Sequence, residues 1–485
     1  MSMKRNPIKH AAGPLSVMFL LSLTLSACSL GPEYKRPEAA STPANYVGTN
    51  IEWKVAVPRA DLPRGNWWEV YRDAELSRLE SEALSANQDL KAAVSRFEQA
   101  RAVADVARSG LFPQVGVSFQ PSVQRDSLNR PAGGHPGKTY DSYTLPFDLS
   151  YELDLWGRVR KTVVSSAAQA RAVADDVESI KLTIQAEVAS DYFALRTLDS
   201  DKALLLSSLD AYRKSLELTR NRRARGMVSD LDVAQAETVL KTAEAQLSDT
   251  ILQRRKLQNA LAVLTGKNAS LFSVDEQPIG LEPFVVPPDL PSELLERRPD
   301  IAAAERRMAA ANAGIGLARA AFYPVIRLQG QTGLQSGDIG TLFDWPSRLW
   351  ALGPSVTLPL FDGGQRRATL RQSEAAYEET VAKYRQAVLA AFADVENNIA
   401  AEHLLAEEYE QQIAALQAAR RQLEIANNRY RSGLVTYLEV ATAQNLALGA
   451  ERTAVRLRGQ QLVSTVALIK ALGGGWQAGE MEAER

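Results

Sequence analysis

The side chains able to do covalent, acid–base or metal chemistry are few, and their spacing suits none of it. The chain holds three histidines, His10, His135 and His403, and one cysteine, Cys28. His10 falls in an N-terminal segment ordered like a signal peptide, and the other two are far apart in the sequence, so no metal cluster or His-centred triad can be assembled from them. Ala132-Gly133-Gly134-His135-Pro136-Gly137-Lys138-Thr139 fits a relaxed phosphate-loop pattern. That chemistry needs a helix N-terminus behind the glycines, whereas residues 140–146 alternate and then meet proline, which reads as an exposed loop. Gly314-Ile315-Gly316 lacks the third glycine of a dinucleotide loop and reads as close helix packing. The paired carboxylates Asp175-Asp176 and Glu407-Glu408 sit in charged helical stretches and read as solvated faces. No enzyme is expected.

Cys28 is informative through its position. Lys4 and Arg5 form a basic start, residues 15–25 an apolar stretch too short to span a bilayer, and Leu25-Ser26-Ala27-Cys28 closes it with small residues. This resembles the bacterial lipobox. Cleavage is then expected to remove residues 1–27 and leave Cys28 with a covalent N-acyl and S-diacylglycerol lipid, the only non-protein group expected. Ser29 resembles the residue found after the cysteine in lipoproteins sorted to the outer membrane. A single acyl chain binds a bilayer marginally, whereas several hold it.

Composition sets outer limits. In 485 residues, Lys plus Arg (56) nearly cancel Asp plus Glu (57), so there is no electrostatic footprint for nucleic acid. One cysteine leaves no internal disulfide framework. No apolar run is long enough for a transmembrane helix in the mature chain.

The elements that must position any function are built twice. Two runs, residues 158–225 and 365–432, contain neither Gly nor Pro. A continuous helix of that size is about 100 Å long. Asn221, Arg222, Gly226, Val228, Leu231, Val233 and Ala236 recur as Asn428, Arg429, Gly433, Val435, Leu438, Val440 and Ala443, with Asp232 answered by Glu439. Asp89, Ala92, Arg96 and Pro113 likewise recur as Asp300, Ala303, Arg307 and Pro324. The expected order is an extended Pro-rich segment (28–72), a first repeat (73–265), a Pro-rich equatorial linker (266–299), a second repeat (300–472) and a polar tail (473–485).

Within each repeat the periodicity changes. Helical spacing starts near Asp73, places Leu76, Leu79, Ala83, Leu90 and Val94 on one face, and persists to Phe112. Then Val115, Val117 and Phe119 alternate with polar residues, and Tyr143, Leu145, Phe147, Leu149 and Tyr151 alternate with Asp148, Ser150 and Glu152. That two-residue period marks strands with one apolar and one wet face. Hairpins are expected over 113–156 and 324–362, with aromatics such as Trp156, Tyr323, Trp345 and Trp350 near the strand ends.

Four strands cannot close a barrel, and unpaired edges are not tolerated in lipid. A dimer would supply about eight strands and a trimer about twelve; about eight leaves an interior filled by side chains, so a conducting duct favours the trimer. Val173, Val177, Ile180, Ile184 and Val188, and Tyr377, Val381, Tyr384, Val388 and Phe392, form stripes that need partner helices.

The chain resembles the TolC/OprM-type outer membrane efflux lipoproteins (NodT family). The resemblance rests on Cys28-Ser29-Leu30-Gly31-Pro32-Glu33-Tyr34 with Arg36-Pro37, Leu294-Leu295-Glu296-Arg297-Arg298-Pro299-Asp300-Ile301, Leu360-Phe361-Asp362-Gly363-Gly364, Tyr430-Arg431-Ser432-Gly433 with Tyr437-Leu438-Glu439-Val440, and Ala471-Leu472-Gly473-Gly474-Gly475-Trp476. It implies a mainly α chain whose very long helices form a periplasmic α-barrel, with four strands per chain in a shared trimeric β-barrel. It also implies a homotrimer in the outer membrane of a Gram-negative bacterium, a periplasmic adaptor, and an inner-membrane RND-type pump whose drugs or other small molecules pass through passively. A type I secretion duct and a non-conducting periplasm-spanning lipoprotein are the alternatives.

By resemblance, the helical turns at Gly226 and Gly433 form the periplasmic gate. Asp232 and Tyr430 match a helix-to-helix link and Glu439 an acidic ring, with Arg222, Arg225, Arg429 and Arg431 as ion-pair candidates. Val435 stands where the family pattern has an arginine latch, and Thr442 replaces a second acidic residue.

Overall fold

The computed structural model of the chain describes residues 31–36, 65–129, 137–280 and 298–474. Cys28, the signal segment, most of the phosphate-loop-like stretch with His135, much of the equatorial linker and nearly all of the C-terminal tail lie outside the described residues. The chain is mostly helical with one small antiparallel sheet. It divides into two compact units, and each draws on both repeats: one takes residues up to 37, 98–172 and 305–383, the other 38–97, 173–304 and 384–485.

The helices are α1 (Ala74–Ala86), α2 (Gln88–Ser109), α3 (Arg158–Ala224), α4 (Asp230–Leu264), α5 (Pro299–Ala320), α6 (Gln365–Arg431) and α7 (Tyr437–Ala471). The two long ones, α3 and α6, each run 67 residues. Their stops are chemically alike. Gly226 (φ 74°) and Gly433 (φ 76°) take the left-handed conformation that glycine adopts without strain. The N–H of Met227 bonds the Arg222 carbonyl and that of Gly226 the Arg223 carbonyl, and Leu434 and Gly433 repeat the pattern on Arg429 and Tyr430. These are Schellman closures, which satisfy carbonyls that a helix end would otherwise leave open.

The helical stretch expected from Asp73 to Phe112 is two helices. Asp73 caps α1 by accepting the N–H groups of Glu75 and Leu76, both at 2.9 Å. Asn87 then leaves helical geometry (ψ 129°), caps α2 through the Leu90 N–H, and donates its amide to the Leu264 carbonyl at the end of α4. An asparagine whose side chain serves two backbone groups at once outcompetes helix continuation. Leu76, Leu79, Ala83 and Leu90 are buried as expected, but Val94, beyond the break, is exposed.

In the mainly helical unit, one cluster gathers Trp67, Leu76, Leu79, Tyr192, Phe193 and Leu462. Beside it, Asp199 takes ion pairs from Arg196 and Arg254, while Arg196 and Arg254 also donate to the carbonyls of Asp275 and Val274. Buried charges persist only when paired and hydrogen-bonded, and here they fasten an extended segment whose own N–H and C=O groups have no helix or strand to join.

The other unit holds the sheet: β1 (Gln114–Val117), β2 (Gln120–Arg125), β3 (Thr139–Glu152), β4 (Val325–Ser336) and β5 (Arg348–Thr357), all pairings antiparallel. β1 and β2 both pair with β3, so they occupy one strand position interrupted at Ser118-Phe119. Both hairpins are therefore formed, and the central β3–β4 pairing joins the two repeats. Gly314-Ile315-Gly316 lies inside α5.

Candidate functional site

The pairing register assigns the two faces of the sheet. Val115, Leu149, Gly330 and Leu352 lie in one row across it, and Val117, Phe147, Thr332 and Trp350 in the next. The opposite face carries Gly116, Asp148, Gln331 and Ala351, then Gln114, Ser150, Gln329 and Gly353. On that polar face Gln331 donates to Asp148 at 2.9 Å, and Glu152 accepts from Arg158 and pairs with Arg327 at 3.5 Å. On the apolar face Trp350 is 80% exposed. Among the described residues, β5 and β1–β2 are the two edges of this open sheet. A sheet that is apolar on an exposed face and unpaired at both edges is complete only in lipid and beside further strands.

Trp156 and Tyr323 stack at 4.9 Å between ring centroids, and the Trp156 indole donates to the Pro324 carbonyl. An amphipathic pair of this kind suits a membrane interface. None of the described helices is long and apolar enough to cross a membrane.

The second constellation surrounds the turns at Gly226 and Gly433, which lie in one unit. Asp232 sits at the start of α4 in a capping box: one oxygen accepts the Ser229 N–H (2.9 Å) and hydroxyl (2.8 Å). The other accepts the N–H of Tyr437, the first residue of α7, at 3.0 Å. Thr436, the N-cap of α7, makes no side-chain capping bond of its own. One carboxylate therefore caps two helices. Burial alone would raise its pKa, but the bonds from Ser229 and Tyr437 outweigh burial and hold the carboxyl below the usual aspartate range.

Asp232 and Tyr430 do not bond to each other, contrary to the expected link. The Tyr430 hydroxyl meets Thr219 at 3.2 Å, and its ring stands edge-to-face on Tyr437 at 5.5 Å. The connection between the two residues runs through Tyr437, because the short Asp232 side chain is already committed to helix N-termini. Arg222 donates to the Tyr430 carbonyl (2.6 Å) and lies over the Tyr430 ring, so it closes the end of α6; it makes no ion pair among the described residues. Arg429 does form one, with Glu439 at 3.2 Å, both about half exposed. Arg225 and Arg431 are exposed and make no ion pair among the described residues. Val435 packs on the cluster with Tyr430 and Tyr437, and exposed Thr442 bonds its own helix at the Leu438 carbonyl.

Sequence reasoning missed Tyr437 and the pair Arg223–Asp230. The signal was in the duplication: Arg223 and Asp230 occupy the repeat positions of Tyr430 and Tyr437. Across the first turn those positions hold an exposed ion pair at 2.7 Å, and across the second an aromatic pair with both members buried.

A duplicated chain of hairpins and very long helices, with a two-faced open sheet and capped helical turns, defines a membrane duct component. Residues 79–267 and 290–474 match the family described as outer membrane efflux protein, and the chain belongs to that family. It is 34% identical over 468 residues to the outer membrane protein OprJ of Pseudomonas aeruginosa, covering 95% of each chain. It is equally 34% identical to the toluene efflux pump outer membrane protein TtgF of Pseudomonas putida, over 94% of this chain and 96% of that one. Among solved structures, the outer-membrane channel OprN matches with a TM-score of 0.83 at 30% identity, over 93% of this chain and 100% of that chain. The protein is an outer-membrane efflux channel, and its relatives are channels and not enzymes.

Proposed function

We propose that three copies of the chain close a shared barrel of about twelve strands and act as the passive exit duct of a tripartite efflux system for small molecules. The observation that carries this reading is the sheet, apolar on its outer face, polar with Asp148 and Gln331 on the other, and unpaired along both edges. Closure by identical copies satisfies the edges, turns the apolar face to lipid and leaves the wet face around a lumen. The helical part of each chain lines the periplasmic part of the duct, and the turns at Gly226 and Gly433 form its gate, with Asp232, Tyr430, Arg222 and Arg429–Glu439 as its fastenings. Arg225 and Arg431 are exposed charges available to neighbouring copies. A periplasmic adaptor and an inner-membrane pump supply energy that this chain has no means to generate. The toluene and solvent pumps among the relatives favour small apolar cargo. Cys28 carries the acyl anchor.

The test is single-channel conductance of the purified protein in a planar bilayer, with mass measurement in detergent. A trimer with discrete openings is expected. A folded monomer overturns the shared barrel, and a trimer that never opens under any condition overturns the duct.

A further inference from the structure

The first described residues lie in a built groove. A Cβ on Gly31 would meet the Cα of Gly316 at 2.7 Å, so the two backbones touch and Gly31 has no room for a side chain, and the Lys161 stem lies nearby at 4.0 Å. Asn312 donates its amide to the Pro32 carbonyl at 3.2 Å. Glu305 accepts from the Tyr34 hydroxyl (3.4 Å) and from Arg36 (3.0 Å). Its side chain is only 11% exposed. The contacts on α5 fall in reverse order, Gly316, Asn312, Glu305, so residues 31–36 run antiparallel to that helix along three of its turns. This explains Gly316 in a helix interior, where glycine otherwise costs about 1 kcal/mol.

The direction matters. Gly31 lies level with the first turn of α3, beside Lys161, and near the end of α5 that leads into β4 at Val325. Cys28 is three residues further on, and three extended residues reach at most about 10 Å. We infer that Glu305 is a positioning residue for the lipid anchor: with Asn312 and Gly316 it docks residues 31–36 so that the acylated N-terminus is held at the helix–strand junction. A lipid on a free, Pro-rich tail would let the sheet ride at any depth. Clasped in this way, the anchor holds the headgroup plane level with the stacked Trp156 and Tyr323. The inference rests on acylation of Cys28, and the experiment reads that separately.

The protein is labelled in cells with radioactive palmitate, purified, placed in phosphatidylethanolamine–phosphatidylglycerol vesicles and treated briefly with trypsin. Cleavage after Lys35 releases a labelled fragment that ends there, told by mass from fragments cut at later basic residues such as Lys54 and Arg59. Glu305→Arg, which sets like charges face to face, should release label at least about tenfold faster than wild type. Arg36→Glu alone sets two carboxylates face to face and should release label faster than Glu305→Arg with Arg36→Glu. The double variant has the same scissile bond after Lys35 and restores the ion pair, a rescue that general destabilisation of the helix would not show. Equal release from wild type and Glu305→Arg, both labelled, overturns the clasp. Absence of label in wild type overturns it at the level of acylation instead.

Discussion

The carboxylate of Asp232 accepts the backbone N–H of Tyr437 at 3.0 Å while completing the capping box of its own helix through Ser229. Both helices begin just after the two glycine turns, so a single side chain ties together the starts of α4 and α7. Removing it uncaps both at once. The cross-helix bond to Tyr437 alone contributes about 1 kcal/mol, and its loss in each of three copies shifts a closed-to-open equilibrium by roughly a hundredfold. Asp232→Ala is therefore expected to raise resting conductance at unchanged trimer yield. Tyr430→Phe keeps the aromatic pair and the Asp232–Tyr437 bond, and should open the channel less. Equal, wild-type conductance in both would move the gate elsewhere.

The same bonds determine the pH response of this tie. A depressed carboxyl contributes its stability above the unfolded value and loses it only as pH falls through the lower folded value. Asp232 stays ionised at mildly acidic pH. Resting conductance should be the same at pH 5 and pH 7, and acid opening in that interval, absent from Asp232→Asn, would contradict the assignment.

Glu439 and Arg429 offer a matched pair of tests, because the arginine offsets the charge of the carboxylate it touches. Glu439→Gln should lower cation preference, since a carboxylate ring at a constriction attracts cations. Arg429→Ala should raise it. Reversal potentials in a salt gradient read both signs, and a shift in the same direction for the two variants would remove this pair from the lumen.

Glu80 presents a different pH effect. It lies on the buried stripe of α1 with Leu76, Leu79 and Ala83, fully enclosed, and neither oxygen has a hydrogen-bond partner. Burial pushes its pKa up to about 9. Between the ordinary glutamate value and that value the folded state holds a proton that the unfolded chain has lost, so stability falls as pH rises, by about 1.4 kcal/mol per pH unit. Thermal unfolding midpoints should drop from pH 6 to pH 8.5 in wild type and flatten in Glu80→Gln. Identical slopes would show that Glu80 ionises in place.

Cys28→Ala should abolish labelling by radioactive fatty acid and shift electrophoretic mobility, as the lipobox-like residues before it require. Persistent label in that variant would place the acyl group on another residue.

The duplication, the length of α3 and α6, both glycine stops and the alternation of the strands were legible in the sequence, because each depends on local rules: periodicity, a missing helix breaker, a left-handed glycine. Asn87 was not legible as a helix break, since its partner at Leu264 is remote in the chain and only folding brings that carbonyl within reach. The resemblance to the family singled out Asp232, Tyr430 and Glu439, but not their partners. Whether Asp232 would meet Tyr430 or the first N–H of α7 depends on which helix start lies within the short reach of an aspartate, and Tyr437 entered the site only because its buried ring fills, in the second repeat, the place that an exposed ion pair holds in the first. Composition and spacing determine elements; which polar atoms those elements bring within about 3 Å of one another is decided by tertiary packing alone.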